Sequence, residues 1–202
     1  MSLARPAIAL LAVVSLAPAA PVPKEAKKAV SFPYTVGTKW EYIRNGDPKT
    51  VWVKEVVECE EKEGVVTFKV NVTTDTGEKR FDLYRLKDGE LVITANQNGS
   101  FDPPMPVVKA GMKTGDEWQS EVTQNGGGVE VNIQFTFTVG KPEEVVTPAG
   151  KFTATPITRK ESEERTSILW YADGVGMIKH TVKGQKEPVQ ELRSFTPGKD
   201  KK

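Results

Sequence analysis

Histidine and cysteine are almost missing from this chain. His180 and Cys59 are the sole residues of their kinds among 202. A structural zinc site takes four Cys or His ligands, and a catalytic one usually takes two or three His, so the sequence can supply neither. A Ser-His-Asp or Cys-His relay would have to be built on His180. That residue keeps even step with Ile178 and Val182 on the apolar face of a strand. A lone histidine so placed serves as a core or rim residue with one hydrogen bond. A single cysteine forms no intrachain disulfide, so apolar burial must hold the fold. Cys59 follows Val51, Val53 and Val57 at even spacing and reads as a small buried apolar residue.

Charge of one sign is not in surplus either, with 28 Lys+Arg against 27 Asp+Glu. The balance excludes a basic face for nucleic acid and an acidic excess that would keep the chain unfolded. No apolar run approaches the roughly 20 residues of a transmembrane helix. The ten-residue run Ala7 to Leu16 follows Arg5 and precedes the small-x-small site Ala17-Pro18-Ala19. Together they predict a signal peptide over 1–19, cleaved after Ala19. No cysteine stands just after it to take a lipid. The expected product is an exported, soluble chain, periplasmic or extracellular, with no transmembrane segment. Residues 20–31 read as a flexible linker, with Pro21, Pro23 and three lysines. Residues 197–202 read as a charged tail.

Catalytic signatures are also wanting. There is no Gly-x-Ser-x-Gly elbow, phosphate-binding loop or dinucleotide fingerprint. Carboxylates are plentiful, but Glu55, Glu58, Glu60, Glu61 and Glu63 alternate with lysines near Gly64 and read as a solvated strand end. Glu161, Glu163 and Glu164, beside Arg159, Lys160 and Arg165, read the same way. A working acid needs burial to shift its pKa. The expectation is a protein that is not an enzyme, with no catalytic residue, cofactor or metal.

What the chain does contain is alternation with period two. Val129, Val131, Ile133, Phe135, Phe137 and Val139 are apolar and every residue between them is polar, which describes one half-buried strand roughly 35 Å long. Val66, Phe68, Val70 and Val72 repeat the pattern. Val51 to Cys59 is apolar on both faces, a sign of a bulge or a central strand. Asn45-Gly46, Asp88-Gly89, Asn125-Gly126 and Asp173-Gly174 fit type I′ hairpin turns. No window holds a helical period; Glu143 and Glu144 after Pro142 could start a single turn. Ala95 to Lys113, with Pro103, Pro104 and Pro106, is the longest irregular piece, a crossover or a loop over one end of the sheet.

A doubled pattern organises the rest. Gly37-Thr38-Lys39-Trp40 and Gly115-Asp116-Glu117-Trp118 each open a half. Each half closes on a similar hairpin, Leu83 to Gly89 and Leu169 to Gly174. Halves of about 80 residues do not readily form separate cores. The fold class expected is therefore all-β. A single curved antiparallel sheet would form a barrel or half-barrel with an internal pseudo-repeat, two packed sheets being the other solution. The domain would span 32–196, with halves over 32–94 and 112–196.

Two motifs carry a resemblance. Thr147-Pro148-Ala149-Gly150-Lys151-Phe152 and Trp170-Tyr171-Ala172-Asp173-Gly174-Val175-Gly176, followed by Met177-Ile178-Lys179, resemble a loosely defined group of exported bacterial proteins of unknown function. Members often also carry an early Gly-x-x-Trp-x-Tyr, here Gly37 to Tyr42. The commoner form has Pro where this chain has Asp173. The resemblance implies an antiparallel half-barrel similar in outline to the periplasmic carriers that shuttle lipoproteins, which cup acyl chains against a curved sheet. It implies no catalytic residues.

The aromatic residues are the remaining candidates for function. If the curved sheet leaves a hollow, Trp40, Tyr42, Trp118, Phe135, Phe137 and Trp170 would line it, and the partner would be a lipid or other apolar ligand. An apolar cavity of several hundred Å³ would favour that reading. The alternative is a structural or protein-interaction module of the cell envelope, with a solid core and a protein partner.

Overall fold

The structure, a computed structural model, describes residues 31–199. The leader over 1–19, the linker up to residue 30 and the last three residues of the tail lie outside the described residues.

Thirteen strands follow one another without a helix among the described residues. They are β1 (Lys39–Arg44), β2 (Asp47–Lys62), β3 (Val65–Thr73), β4 (Lys79–Lys87), β5 (Glu90–Asn96), β6 (Gly99–Val108), β7 (Glu117–Gly126), β8 (Val129–Val139), β9 (Glu143–Thr147), β10 (Gly150–Lys160), β11 (Thr166–Ala172), β12 (Gly176–Val182) and β13 (Gln190–Thr196). All neighbours are antiparallel. β1 to β8 run in chain order, β13 and then β12 pair beyond β1, and β10 joins β8 to β11. The last junction closes the sheet, because Ala154 to Lys160 pair with Ala172 back to Thr166. Twelve strands therefore make a closed barrel, and β9 is an extra strand beside the first half of β10. Closure leaves few open edges to aggregate.

Alternation sorts the side chains. Trp40 and Tyr42 of β1, Val56 of β2 and Val66, Phe68, Val70 and Val72 of β3 are buried, and so are Phe135, Phe137 and Val139 of β8. Each such large apolar side chain contributes about 1.5–3 kcal/mol on burial. β8 has the bounds read from its alternation, yet Val129 and Val131 are 61% and 48% exposed. The β7–β8 hairpin thus extends its apolar face beyond the core.

The doubled Gly-x-x-Trp turns have the same hydrogen bonds. Gly37 N–H donates to Val56 C=O, and Val56 N–H donates back to Thr38 C=O. Gly115 N–H donates to Val139 C=O, and Val139 N–H donates back to Asp116 C=O. Both glycines need positive φ, 86° and 89°, which glycine adopts at no steric cost. The repeat anchors a turn to a buried valine on the neighbouring strand.

Several local expectations change. Asn45-Gly46 and Asp88-Gly89 have both residues at positive φ, as type I′ turns require. At Asp173-Gly174 only Gly174 does, and Val175 N–H donates to Ala172 C=O, the pattern of a type II turn. Asn125-Gly126 is not a turn: Gly126 pairs with Val129 inside the ladder, and the reversal falls on Gly127-Gly128. Ala95 to Lys113 is mostly strand. β6 pairs with β7 only from Ser100 to Asp102, and with β5 at Gly99 and Ser100 and again from Met105 to Val108. Pro103 and Pro104 fall in the gap between these stretches, and Pro106 pairs with Val92 beside a register shift. Glu143 and Glu144 begin β9, not a helical turn. β2 lies between β1 and β3 and is bulged between Val56 and Glu58. Its core face carries Val56 and not Val51, Val53 or Val57, and Cys59, beyond the bulge, is exposed.

Both resemblance motifs lie beside a gap between β12 and β13. β12 meets β13 through Lys179–Glu191 and His180–Gln190 and then diverges. The Thr147-Pro148-Ala149-Gly150 turn fills the gap, with Ala149 N–H donating to Leu192 C=O at 3.1 Å. Trp170 Nε1–H donates to Glu143 Oε1, 2.6 Å away at the start of β9. Gly176, at φ 91°, leaves room for Phe32: a Cβ there would sit 2.8 Å from its ring. Gly174, at φ 70°, has open space. Gly174→Ala should cost about 1 kcal/mol, the conformational penalty alone. Gly176→Ala should cost about 2 kcal/mol, because Phe32 must also move. Urea unfolding of the two variants reads the difference, and equal losses would show that Phe32 is not packed there.

Candidate binding cavity in the barrel lumen

The barrel lumen holds a cavity of about 200 Å³ bounded by nearly every strand of the wall. Its apolar end is built by the N-terminal segment. Ser31 N–H donates to Asp173 Oδ1 at 2.7 Å, and Gly174 N–H donates to Ser31 C=O at 2.8 Å. These bonds turn Phe32 inward, where its ring lies 5.9, 5.8 and 6.1 Å from Trp40, Phe68 and Tyr84. Trp40 Nε1–H donates to Val175 C=O and Tyr42 O–H to Met177 C=O, each at 2.7 Å. Both bonds tie β1 to the β11–β12 hairpin. Burial raises the phenol pKa of Tyr42 and Tyr84, and pushes Tyr171 up to about 12. All three line the cavity as neutral groups.

The other end is polar. Lys54, Asp82, Arg159, His180 and Gln190 line it. Register explains how charges come to face inward. Trp40 pairs with Lys54, and Lys54 pairs with Val72, so Lys54 shares the inner face. Phe137 pairs with Arg159, which places that guanidinium inward, 5.5 Å from the Phe135 ring. His180 pairs with Leu169 on one side and Gln190 on the other. Burial, then the charges of Arg159, Arg44 and Lys54, lower the His180 pKa to about 4, so the imidazole is neutral at pH 7. Its Nε2 and the Gln190 Oε1 are buried with no hydrogen-bond partner among the described residues. Beside this end, Arg44 lies 4.0 Å and Arg80 5.2 Å from the Trp52 ring, and Arg80 holds Glu78 through two bonds of 2.9 and 2.8 Å.

Of the six aromatic residues expected to line a hollow, Trp40, Tyr42 and Phe137 do. Trp118 stacks on Phe137 at 4.9 Å, and Phe135 is buried beside it; neither lines the cavity. Trp170 faces away, since its neighbours Leu169 and Tyr171 point inward. Arg159, read from its neighbours as part of a solvated cluster, lines the lumen in step with Ile157. Lys54 was legible as the step between Trp52 and Val56 but carried no sign that it faced inward. His180 is a lining residue whose Nε2 is buried without a hydrogen-bond partner among the described residues.

Fold and cavity define an all-β protein, a closed antiparallel barrel whose lumen holds a cavity of mixed polarity. No family model matches the chain, and no curated protein matches it. Among solved structures it is similar to an exported protein, so assigned, with a YmcC-like fold from Bacteroides fragilis, at TM-score 0.52 and 18% identity over 84% of this chain and 100% of that one. A protein assigned as a lipoprotein from Parabacteroides distasonis aligns at TM-score 0.49 and 16% identity, over 82% and 97%. At such identities the likeness is one of fold. No helix among the described residues is long and apolar enough to cross a membrane.

Proposed function

We propose that this is an exported, non-enzymatic barrel that binds a small ligand with an apolar body in its lumen. The observation that carries the reading is the central cavity, with Phe32, Trp40 and Tyr84 at one end and unpaired polar groups at the other. Its size bounds the ligand. A cavity of about 150 Å³ takes a benzene-sized molecule, so about 200 Å³ holds roughly eight non-hydrogen atoms. That is below the several hundred Å³ expected of a cavity favouring an apolar ligand, so the reading is confined to a small one. Asp82 is the single carboxylate in the lining, which supports a binding role over paired-carboxylate chemistry. The outward faces favour water over lipid: Glu58–Lys69 and Lys179–Glu191 pair across neighbouring strands at 3.1 and 3.5 Å, where a membrane barrel would carry an apolar band. Export rests on the leader, and the B. fragilis relative is itself assigned as exported.

Native mass spectrometry of protein purified from its own host tests the proposal. The expected spectrum shows a retained adduct of about 100–150 Da, in keeping with a ligand of that few atoms. Protein at its bare mass, with no small ligand released on denaturation, leaves the structural-module reading in its place; the continuous buried core is what favours that second reading.

A further inference from the structure

The polar end of the cavity is over-supplied with hydrogen-bond donors and positive charge. Lys54 and Arg159 line it and have no carboxylate within 4.0 Å among the described residues. After burial, their charges and that of Arg44 help lower the His180 pKa, so the field around this imidazole is positive. Asp82 is the lone negative group in the lining, and its nearest recorded partner is the Tyr84 hydroxyl at 3.5 Å. His180 Nε2 is buried without a partner, and so is one polar atom of Gln190, a residue 8% exposed. Leaving such atoms unpaired costs stability unless something fills the position. The two ends of a carboxamide exchange by a half-turn, so Gln190 offers an N–H to that position as readily as a C=O. A neutral imidazole likewise donates from Nε2 in one tautomer.

We propose that this end of the lumen is a site for an anionic head group, and that the ligand is a short amphipathic carboxylate, its oxygens held by Lys54, Arg159, His180 and Gln190 and its apolar tail laid among Trp40, Tyr84 and Phe32. The inference rests on the lumen being a binding site and adds the chemical class. Charge-assisted hydrogen bonds are the strong ones, and in a partly desolvated lumen they distinguish an acid from an alcohol of the same length.

Isothermal titration calorimetry at pH 7 with hexanoate and hexan-1-ol tests it on the unaltered protein. Hexanoate should bind at least about tenfold more tightly than the alcohol. Arg159→Gln and Lys54→Gln should each bring hexanoate down towards the affinity of the alcohol and leave the alcohol unchanged. Equal affinity for acid and alcohol would overturn the head-group proposal and leave lumen binding standing. No heat from either compound would also overturn it, and the mass-spectrometric adduct would then decide the broader reading on its own. Because the acid–alcohol comparison needs no variant, it holds even if a substitution unfolds the barrel.

Discussion

Trp40→Ala is expected to lower folding stability by about 3–5 kcal/mol, the range for truncating a large buried aromatic residue. Trp40 is 3% exposed. Its indole N–H donates to Val175 C=O across the barrel, and its ring meets Phe32 and Phe195 at 5.9 and 6.0 Å. The substitution removes that packing, opens the existing cavity further and leaves the Val175 carbonyl without its donor. Trp118→Ala, at the matching position of the doubled motif, should cost about half as much. Its ring stacks on Phe137, but the residue is only half-buried and its Nε1 has no partner to lose. Urea unfolding by circular dichroism checks both. Equal losses would show that the two motifs bear the same load.

The second large effect is expected in acid. His180 has its pKa held at about 4 in the fold, chiefly by burial and then by Arg159, Arg44 and Lys54; an unfolded histidine titrates near 6.5. Between those values the unfolded chain takes up a proton that the folded chain refuses. Acidification therefore favours unfolding, and stability falls as pH drops from about 6.5 to about 4, by up to about 3 kcal/mol. Below about 4 this group adds nothing more. The carboxylates of Asp47, Glu78 and Glu163, whose pKa values are also lowered, act in the same direction but at lower pH: their stabilisation is present above their unfolded values and is lost below about 4. The two windows are separable. His180→Gln should flatten the slope between pH 6.5 and 4 and leave the lower limb in place. An unchanged slope in that window would mean that His180 is not the group responsible.

How far the sequence was readable depended on whether a feature was local. Val129 to Val139 declared its bounds because nothing interrupts its alternation. Trp40 and Tyr42 declared an inner face for the same reason. Cys59 was misread because burial ends with Val56: the bulge near Val57 turns Cys59 to the side of its partner Phe68, but it lies in the exposed end of the strand, which period-two counting does not mark. β6 was hidden by its prolines, which signal a loop unless the missing N–H groups fall where the ladder is already broken. Trp170 was placed in the lumen by its size, when its step between Leu169 and Tyr171 puts it outside. The cavity's polar end was least legible. Arg159 sits beside Glu161, Glu163 and Glu164 in sequence, and only the pairing with Phe137 across the sheet turns it inward. Lys54, Arg159, His180 and Gln190 lie on four strands, and no local spacing brings them together. The closing β10–β11 pairing is local, yet the closure it makes depends on every register before it.

Ligand is expected to enter the lumen and sit between the Phe32–Trp40–Tyr84 cluster and the Lys54–Arg159–His180 end. The most direct measurement is a ¹H–¹⁵N spectrum of the labelled protein titrated with hexanoate. Saturating shifts at the Trp40 indole N–H, the Gln190 side-chain amide and the backbone around His180 are predicted, with the exposed Val129 and Val131 hairpin unmoved. Shifts confined to that hairpin, or none at the lumen residues, would contradict it.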